Sequence, residues 1–275
     1  MIRKFKKLPR VLDRDDWIRI FTLWIGFFWI STAVIDYFGL EIEIFWKIMI
    51  QAAGLILIAS LTFAYNYLRD EKKIQIKDGA EVRVFKGDLF DDKIEKELGV
   101  IVIPVNTCFD MDAGDLISSE SVHGQFIEKF EKDWDLKRKV TDALEGVGHR
   151  TIIRNGQNVN SYPLGTTIKI KHEGRTFFLL AFTEFDENDR AKCSPDEYCQ
   201  IFFKLLKFAD GKVQHNPLSM PVMGSRFARL PTNDQTMLIG LMISMIKLAG
   251  TKNPFKINIV VSYEDSKNIV FPHIR

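Results

Sequence analysis

The chain has 275 residues, enough for one or two domains, and 38 Lys and Arg against 36 Asp and Glu leave a net charge of +2. That balance argues against a general nucleic-acid binder, which would be more basic. Three scattered cysteines (Cys108, Cys193, Cys199) with no C-x-x-C pair argue against a disulfide framework and for a reducing compartment, and the five histidines lack metal-ligand spacing.

Residues 1–16 form a basic segment carrying Arg3, Lys4, Lys6, Lys7, Arg10 and Arg14. Next, Ile20 to Ile35 reads IFTLWIGFFWISTAVI without a charge. With its flanks this gives a stretch, 17–38, near the ~20 residues that a bilayer-crossing helix needs. A second stretch, 46–68, is uncharged from Ile48 to Leu68, and the linker around Gly39 to Glu43 is too short for a domain. The two stretches together predict a transmembrane helical hairpin over 17–68. Asp36 stands at the end of the first span, where a carboxylate costs far less than at the midplane. Trp17, Tyr37, Trp46, Tyr65 and Tyr67 fall near the span ends, as interfacial aromatics do. A cleaved signal peptide fits poorly, because the apolar stretch is too long and no small-residue cleavage site follows it. Buried core helices fit poorly with runs this long and this rich in Trp and Phe. Beyond the second span come Arg69, Lys72, Lys73 and Lys77, whereas the hairpin loop carries Glu41 and Glu43. Lys and Arg stay on the cytoplasmic side, so both termini are expected there.

Residues 69–78 read as a charged connector, and 79–275 as one folded domain. Glu81 to Phe85 alternates with the period of a strand, and Val100 to Val105 is continuously apolar and β-branched, like a strand buried on both faces. Val122, Phe126, Phe130 and Trp134 recur at helical spacing. Thr166 to Ile170 and Thr176 to Phe182 read as strands joined by a turn around His172-Glu173-Gly174. Ser194-Pro195-Asp196-Glu197 is a capped helix start, and that helix is expected to end at Gly211. Ser219 to Met223 reads as a short strand. Thr232 with Gln235 predicts a second capping box, for a helix running to Gly250, and Ile257 to Ser262 predicts a last buried strand. This alternation defines an α/β domain, a mixed sheet with helices on both faces. Such sheets bind ligands beyond the carboxyl ends of their strands. The loops 106–124 and 224–230 leave strands there. The first ends at a helix amino terminus, whose free N–H groups favour an anion, and the second carries Arg226 and Arg229.

At these residues the domain resembles a macro domain, the ADP-ribose-binding module, over about Val82 to Ser262. Four segments carry the likeness: Lys86-Gly87-Asp88-Leu89, Val100 to Asn106, Ser119 to Gly124, and Pro221 to Pro231. The resemblance implies a three-layer α/β/α sandwich and a set of roles. Asp88 would meet the adenine amino group with the Leu89 N–H nearby, and Asn106 would contact the distal ribose. Backbone groups of Ser121, Val122, His123 and Gly124, and of Gly224, Ser225, Arg226 and Phe227, would hold the diphosphate. Ser119-Glu120-Ser121 replaces a loop that is nearly all glycine in the family, and Arg226 and Arg229 stand where glycines are usual. These departures suggest a pocket reshaped for a modified ADP-ribose.

A membrane hairpin followed by a macro-like domain resembles the membrane effectors of type II Thoeris, a bacterial anti-phage system. That resemblance implies a protein of the bacterial inner membrane with a cytoplasmic macro domain. Its signal would be an ADP-ribose derivative, histidine-ADP-ribose, made by a TIR-domain enzyme. The protein would then form homo-oligomers and disrupt the lipid bilayer, causing abortive infection. No catalytic residue, metal, cofactor or nucleic-acid partner is expected. The alternatives are a membrane-tethered ADP-ribosyl hydrolase, for which His123 is the nearby candidate base, and a passive ADP-ribose reader.

Overall fold

Two runs free of charge over most of their length and free of proline form long helices, α1 (Arg14–Tyr37) and α2 (Ile44–Leu68). At 24 and 25 residues each extends for about 36 Å. The segments Trp17–Ile35 and Trp46–Tyr65 are long and apolar enough to cross a membrane. Several of their polar groups are satisfied locally or across the pair, while the buried Gln51 Oε1 has no partner among the described residues. The Thr22 and Thr32 hydroxyls each donate to the carbonyl four residues back, at 2.8 Å. Gln51 Nε2 donates to Ser31 Oγ at 2.5 Å, and Trp24 Nε1 donates to the Gln51 carbonyl at 3.2 Å. Gly54 allows the helices to approach closely, since a Cβ there would lie 2.2 Å from Phe27 Cε1. Trp17, Phe21, Trp29 and Trp46 point outward.

The computed structural model describes residues 14–39, 44–68, 70–76, 80–112, 117–130, 134–154, 156–186, 190–224, 230, 232, 234–250, 255–267, 269, 271 and 274. The helical pair belongs to one compact unit and Glu71–Ile269 to another.

The second unit is built on one sheet. Its strands are β1 (Glu71–Gln75), β2 (Glu81–Lys86), β3 (Val100–Asn106), β6 (Thr167–His172), β7 (Arg175–Phe185), β8 (Ala191–Lys192), β9 (Leu218–Pro221) and β10 (Lys256–Val261). The order is β1-β2-β10-β9-β3-β7-β6, with β8 paired to β7. The five central strands β2, β10, β9, β3 and β7 run parallel, and β1, β6 and β8 are antiparallel additions. A separate hairpin, β4 (Arg150–Arg154) with β5 (Gln157–Ser161), pairs only with itself. The helices are a short α3 (Glu95–Leu98), then α4 (Val122–Phe130), α5 (Trp134–Leu144), α6 (Pro195–Ala209), α7 (Gln235–Ala249) and a short α8 (Tyr263–Ser266).

Alternation along β7 shows why the domain has three layers. Phe177, Leu179 and Ala181 join the cluster that takes in Phe126 and Phe130 of α4 and Leu136 and Val140 of α5. Phe178 and Phe182 point the other way, onto Phe208 (centroids 5.1 Å apart) and Tyr198 (5.8 Å) of α6. A strand with both faces covered must be apolar throughout, which is the pattern of β3 and β7. Each buried aromatic contributes about 2–3 kcal/mol, so the two aromatic layers dominate the core.

Two sequence expectations need correction. The stretch 69–78 is not only a connector. Within it, β1 is an edge strand, with Glu71 opposite Phe85 and Gln75 opposite Glu81. Its charges misled because an edge strand tolerates them and even uses them: Arg83 holds Glu71 at 2.9 Å, and Gln75 Nε2 donates to Glu81 at 2.9 Å. The second capping box does not form. Asp234 caps α7, its Oδ1 accepting from the N–H groups of Thr236 (2.9 Å) and Met237 (3.2 Å), while Thr232 Oγ1 merely accepts from the Asp234 N–H. Val122, Phe126 and Phe130 lie in α4 and Trp134 opens α5, with the residues between them outside the described ones. The Ser194–Glu197 capping box at α6 forms as expected, with both reciprocal bonds present.

Candidate ligand-binding site

A cavity of about 690 Å³ opens at the carboxyl ends of β2, β3, β7, β9 and β10. Five strands delivering their ends to one place leave a concavity that no strand side chain fills, and the turns that follow line it. Seven of the expected residues are among the lining: Asp88, Leu89, Asn106, Ser121, Val122, His123 and Gly224. Ser225, Arg226 and Phe227 lie outside the described residues. Gly124 is not in the wall but buried behind it.

The turn after β2 is fixed by the Gly87 N–H, which donates to the Val261 carbonyl at 2.9 Å. Asp88 is exposed, and its Oδ1 accepts from the Phe90 N–H at 2.8 Å, so one carboxylate oxygen serves the turn itself. Asn106, at the end of β3, is buried and engaged in its own loop. Its Oδ1 accepts from the Cys108 N–H at 3.0 Å and from the Asp110 N–H at 3.4 Å, and its Nδ2 donates to Asp110 Oδ2 at 3.1 Å.

The first loop is locked against the start of α4. Ser121 donates to the Ser118 carbonyl through its N–H (3.0 Å) and its hydroxyl (2.7 Å), and its Oγ accepts from the Gly124 N–H at 2.9 Å. Ser121 is therefore the amino-terminal cap of α4. Gly124 is required by proximity, since a Cβ there would stand 2.1 Å from the Ser118 carbonyl oxygen. His123 is buried, with Nε2 2.8 Å from the Asp110 carbonyl. Burial pushes its pKa down to about 4, outweighing the carbonyl and the Asp110 charge, so the ring is neutral at pH 7. In the second loop Gly224 takes φ +87°, and a Cβ there would lie 2.3 Å from Leu230 Cδ1. The Tyr198 hydroxyl donates to the neighbouring Met223 carbonyl at 3.3 Å, and burial drives that phenol's pKa upward.

Sequence reasoning missed two parts of this site. The far wall includes Thr183, Phe185, Arg190 and Ala191, and the rim includes Tyr263, Glu264 and Asp265. Ser262 with Asp265 is a short capping pattern, Ser262 Oγ accepting from the Asp265 N–H at 3.1 Å, and its position after a buried strand could have flagged the rim. Behind the wall, Asp110 takes both guanidinium nitrogens of Arg154, each at 2.8 Å. Those two residues are 44 apart and no local signal joins them.

Fold and cavity define a three-layer α/β/α domain with a concave site at its strand ends, following a pair of apolar helices in the chain. Residues 82–262 match the family described as "Thoeris protein ThsA, Macro domain", and the chain belongs to that family. Thoeris protein ThsA of Bacillus amyloliquefaciens (strain Y2) is 26% identical over 204 residues, covering 70% of this chain and 66% of the relative. The chain thus spans just under two thirds of that relative's length. Among solved structures, a mutant of the Oceanobacillus iheyensis macrodomain is similar at 14% identity and TM-score 0.47, covering 74% of this chain and 95% of that one. The macrodomain of Thermus aquaticus DarG is similar at 18% identity and TM-score 0.41, covering 66% of this chain and 99% of that one.

Proposed function

We propose that this chain is a membrane-embedded effector of Thoeris anti-phage defence, gated by an ADP-ribose-derived nucleotide. The observation that carries the reading is the cavity at the strand ends, walled by Asp88, Asn106 and the start of α4, in a chain that begins with two helices apolar enough to cross a bilayer. The ligand is histidine-ADP-ribose made by a TIR-domain partner enzyme. Its diphosphate meets the N–H groups of Val122 and His123 at the start of α4, the Gly124 N–H being taken by Ser121 Oγ. The outward-facing Trp and Phe side chains of α1 and α2 suit lipid rather than water. Both termini and the macro domain are cytoplasmic, and the hairpin sits in the bacterial inner membrane. Two helices per chain cannot enclose a pore alone, so disruption of the bilayer and abortive infection require a homo-oligomer that the ligand binds more tightly than the resting state.

Chain connectivity supports transmission from ligand to hairpin. Helix α2 ends at Leu68 and β1 begins at Glu71, opposite Phe85 on the strand that runs into Gly87 and Asp88. Binding rather than turnover is favoured because Nε2 of His123, the candidate base, is engaged by a carbonyl.

The test uses the full chain in detergent and in liposomes. Histidine-linked ADP-ribose should bind by calorimetry, raise the mass seen by light scattering and release entrapped dye. Asn106→Ala and Gly224→Val should lose the response and still insert. Leakage indifferent to the nucleotide would sink the effector reading. Steady release of free ADP-ribose from an ADP-ribosylated protein would favour a hydrolase.

A further inference from the structure

We propose that Arg154 is a positioning residue for the nucleotide pocket, and that through Asp110 it turns Asn106 into a dedicated hydrogen-bond donor. The inference rests on the ligand-binding reading of the cavity and goes beyond it by saying what chemistry one wall selects.

Three residues meet at Asp110. Its carboxylate accepts both Arg154 nitrogens at 2.8 Å, and Oδ2 also accepts from Asn106 Nδ2 at 3.1 Å. Its carbonyl lies 2.8 Å from His123 Nε2 on the first turn of α4. The ion pair is well shielded, with side chains 16% and 20% exposed, and the paired N–H fork fixes the plane of the carboxylate as well as its position. Arg154 is itself held in place, its guanidinium carbon 5.8 Å from the centroid of Phe185, a wall residue. The hairpin that carries Arg154 is tied down at other points. Arg150 reaches Glu184 of β7 at 3.2 Å, and the Tyr162 N–H donates to the Thr107 carbonyl at 2.9 Å.

The consequence falls on Asn106. Its Oδ1 faces the backbone N–H groups of Cys108 and Asp110, so the amide oxygen is occupied from the protein side. Its Nδ2 has two hydrogens, and the Asp110 carboxylate takes one. A flipped amide would set its oxygen against that carboxylate and its NH₂ against two N–H donors, so the carboxylate and the two backbone groups together fix the orientation. The remaining hydrogen is what Asn106 can offer the cavity that it lines. The group it reads must then be an acceptor, a hydroxyl or carbonyl oxygen. A ligand that presents only a donor there is rejected. Without Arg154 the carboxylate loses its anchor, and the amide keeps only the two backbone N–H groups to hold its orientation.

The experiment uses the full chain in detergent, with ADP-ribose and an analogue lacking the distal-ribose hydroxyls as probes. Wild type should prefer ADP-ribose over the analogue. Arg154→Ala should bind ADP-ribose about tenfold more weakly, in the range for residues that act through a network. It should also lose the preference, while Arg154→Lys recovers part of both. Effects of Arg154→Ala and Asn106→Ala should be less than additive. Arg154→Ala that keeps wild-type affinity and discrimination would overturn the proposal. The Asn106 side-chain NH₂ signals, followed by NMR in the ligand-free protein, separate this failure from failure of the function. If they are unmoved by Arg154→Ala, the positioning role falls whatever the ligand is. If they shift and exchange faster while wild type binds no ADP-ribose, the positioning role stands and the ligand assignment falls.

Discussion

Gly124→Ala tests the first loop by the sign of its effect. Gly124 is a helical residue, and helix propensity alone makes Ala about 1 kcal/mol more stable than Gly there. The surroundings reverse that. The new Cβ would lie 2.1 Å from the Ser118 carbonyl oxygen and 2.8 Å from both Ser118 C and Ser119 Cα, all backbone atoms that no rotamer change can remove. To reach even 3.0 Å the loop must retreat by about 1 Å. The retreat strains the two bonds from Ser121 to the Ser118 carbonyl and the one from the Gly124 N–H to Ser121 Oγ. Three hydrogen bonds at about 1 kcal/mol each outweigh the propensity gain and leave a net loss of about 2 kcal/mol. For a domain of this size that lowers the midpoint by about 4–8 °C. Thermal unfolding of the full chain in detergent, followed by circular dichroism, reads it directly. Gly240→Ala is the control, because no described heavy atom beyond its own stretch of helix lies within 4 Å of its new Cβ and the propensity gain should survive as a higher midpoint. If Gly124→Ala stabilises as Gly240→Ala does, the close approach of loop and helix is wrong, and with it the account of how α4 is capped.

His123 predicts a pH dependence. Its folded pKa is depressed from 6.5 to about 4, so its contribution is full above pH 6.5 and is lost as the pH falls through about 4, amounting to at most about 3 kcal/mol. Midpoints measured between pH 4 and 6.5 should fall more steeply in wild type than in His123→Gln. At the start of α7, Asp234→Ala should cost about 1 kcal/mol and Thr232→Ala clearly less, since only Asp234 accepts from the first-turn N–H groups. Equal costs in chemical denaturation would restore Thr232 as the cap. In the helical pair, Gln51→Leu removes the bond to Ser31 and should weaken helix association by about 0.6 kcal/mol, a small effect that steric trapping can resolve.

The fold was legible wherever one element carried its own signal. Val100 to Val105 reads as a doubly buried strand because β-branched residues fill both faces, and that is how β3 is placed. The Ser194 capping box marks the start of α6 to the residue because the two reciprocal bonds are local. Edge elements were harder. Glu71, Lys72 and Lys73 look like a solvated linker because the only thing that makes them a strand is β2, whose partner residues lie 14, 12 and 10 positions further along the chain. The hairpin of β4 and β5 gives no inward apolar row, so alternation had nothing to detect, and its strands are defined by pairing with one another.

The site divides along the same physical line. Residues that follow strands could be placed at one cavity from topology, because parallel strands deliver their carboxyl ends to one side whatever their side chains are. Asp88, Asn106, Ser121 and Gly224 converge for that reason. What topology could not supply is which atoms of those residues remain to act. Asn106 looks from sequence like an amide free to donate or accept, but in the fold its oxygen faces two backbone N–H groups and its nitrogen faces Asp110. Gly124 looks like a backbone donor to a phosphate, whereas its N–H is taken by Ser121. Under the proposed reading, the donors which that turn could give an anion reduce to those of Val122 and His123. A phosphate reading that counts every residue of the motif overstates the donors the turn can give.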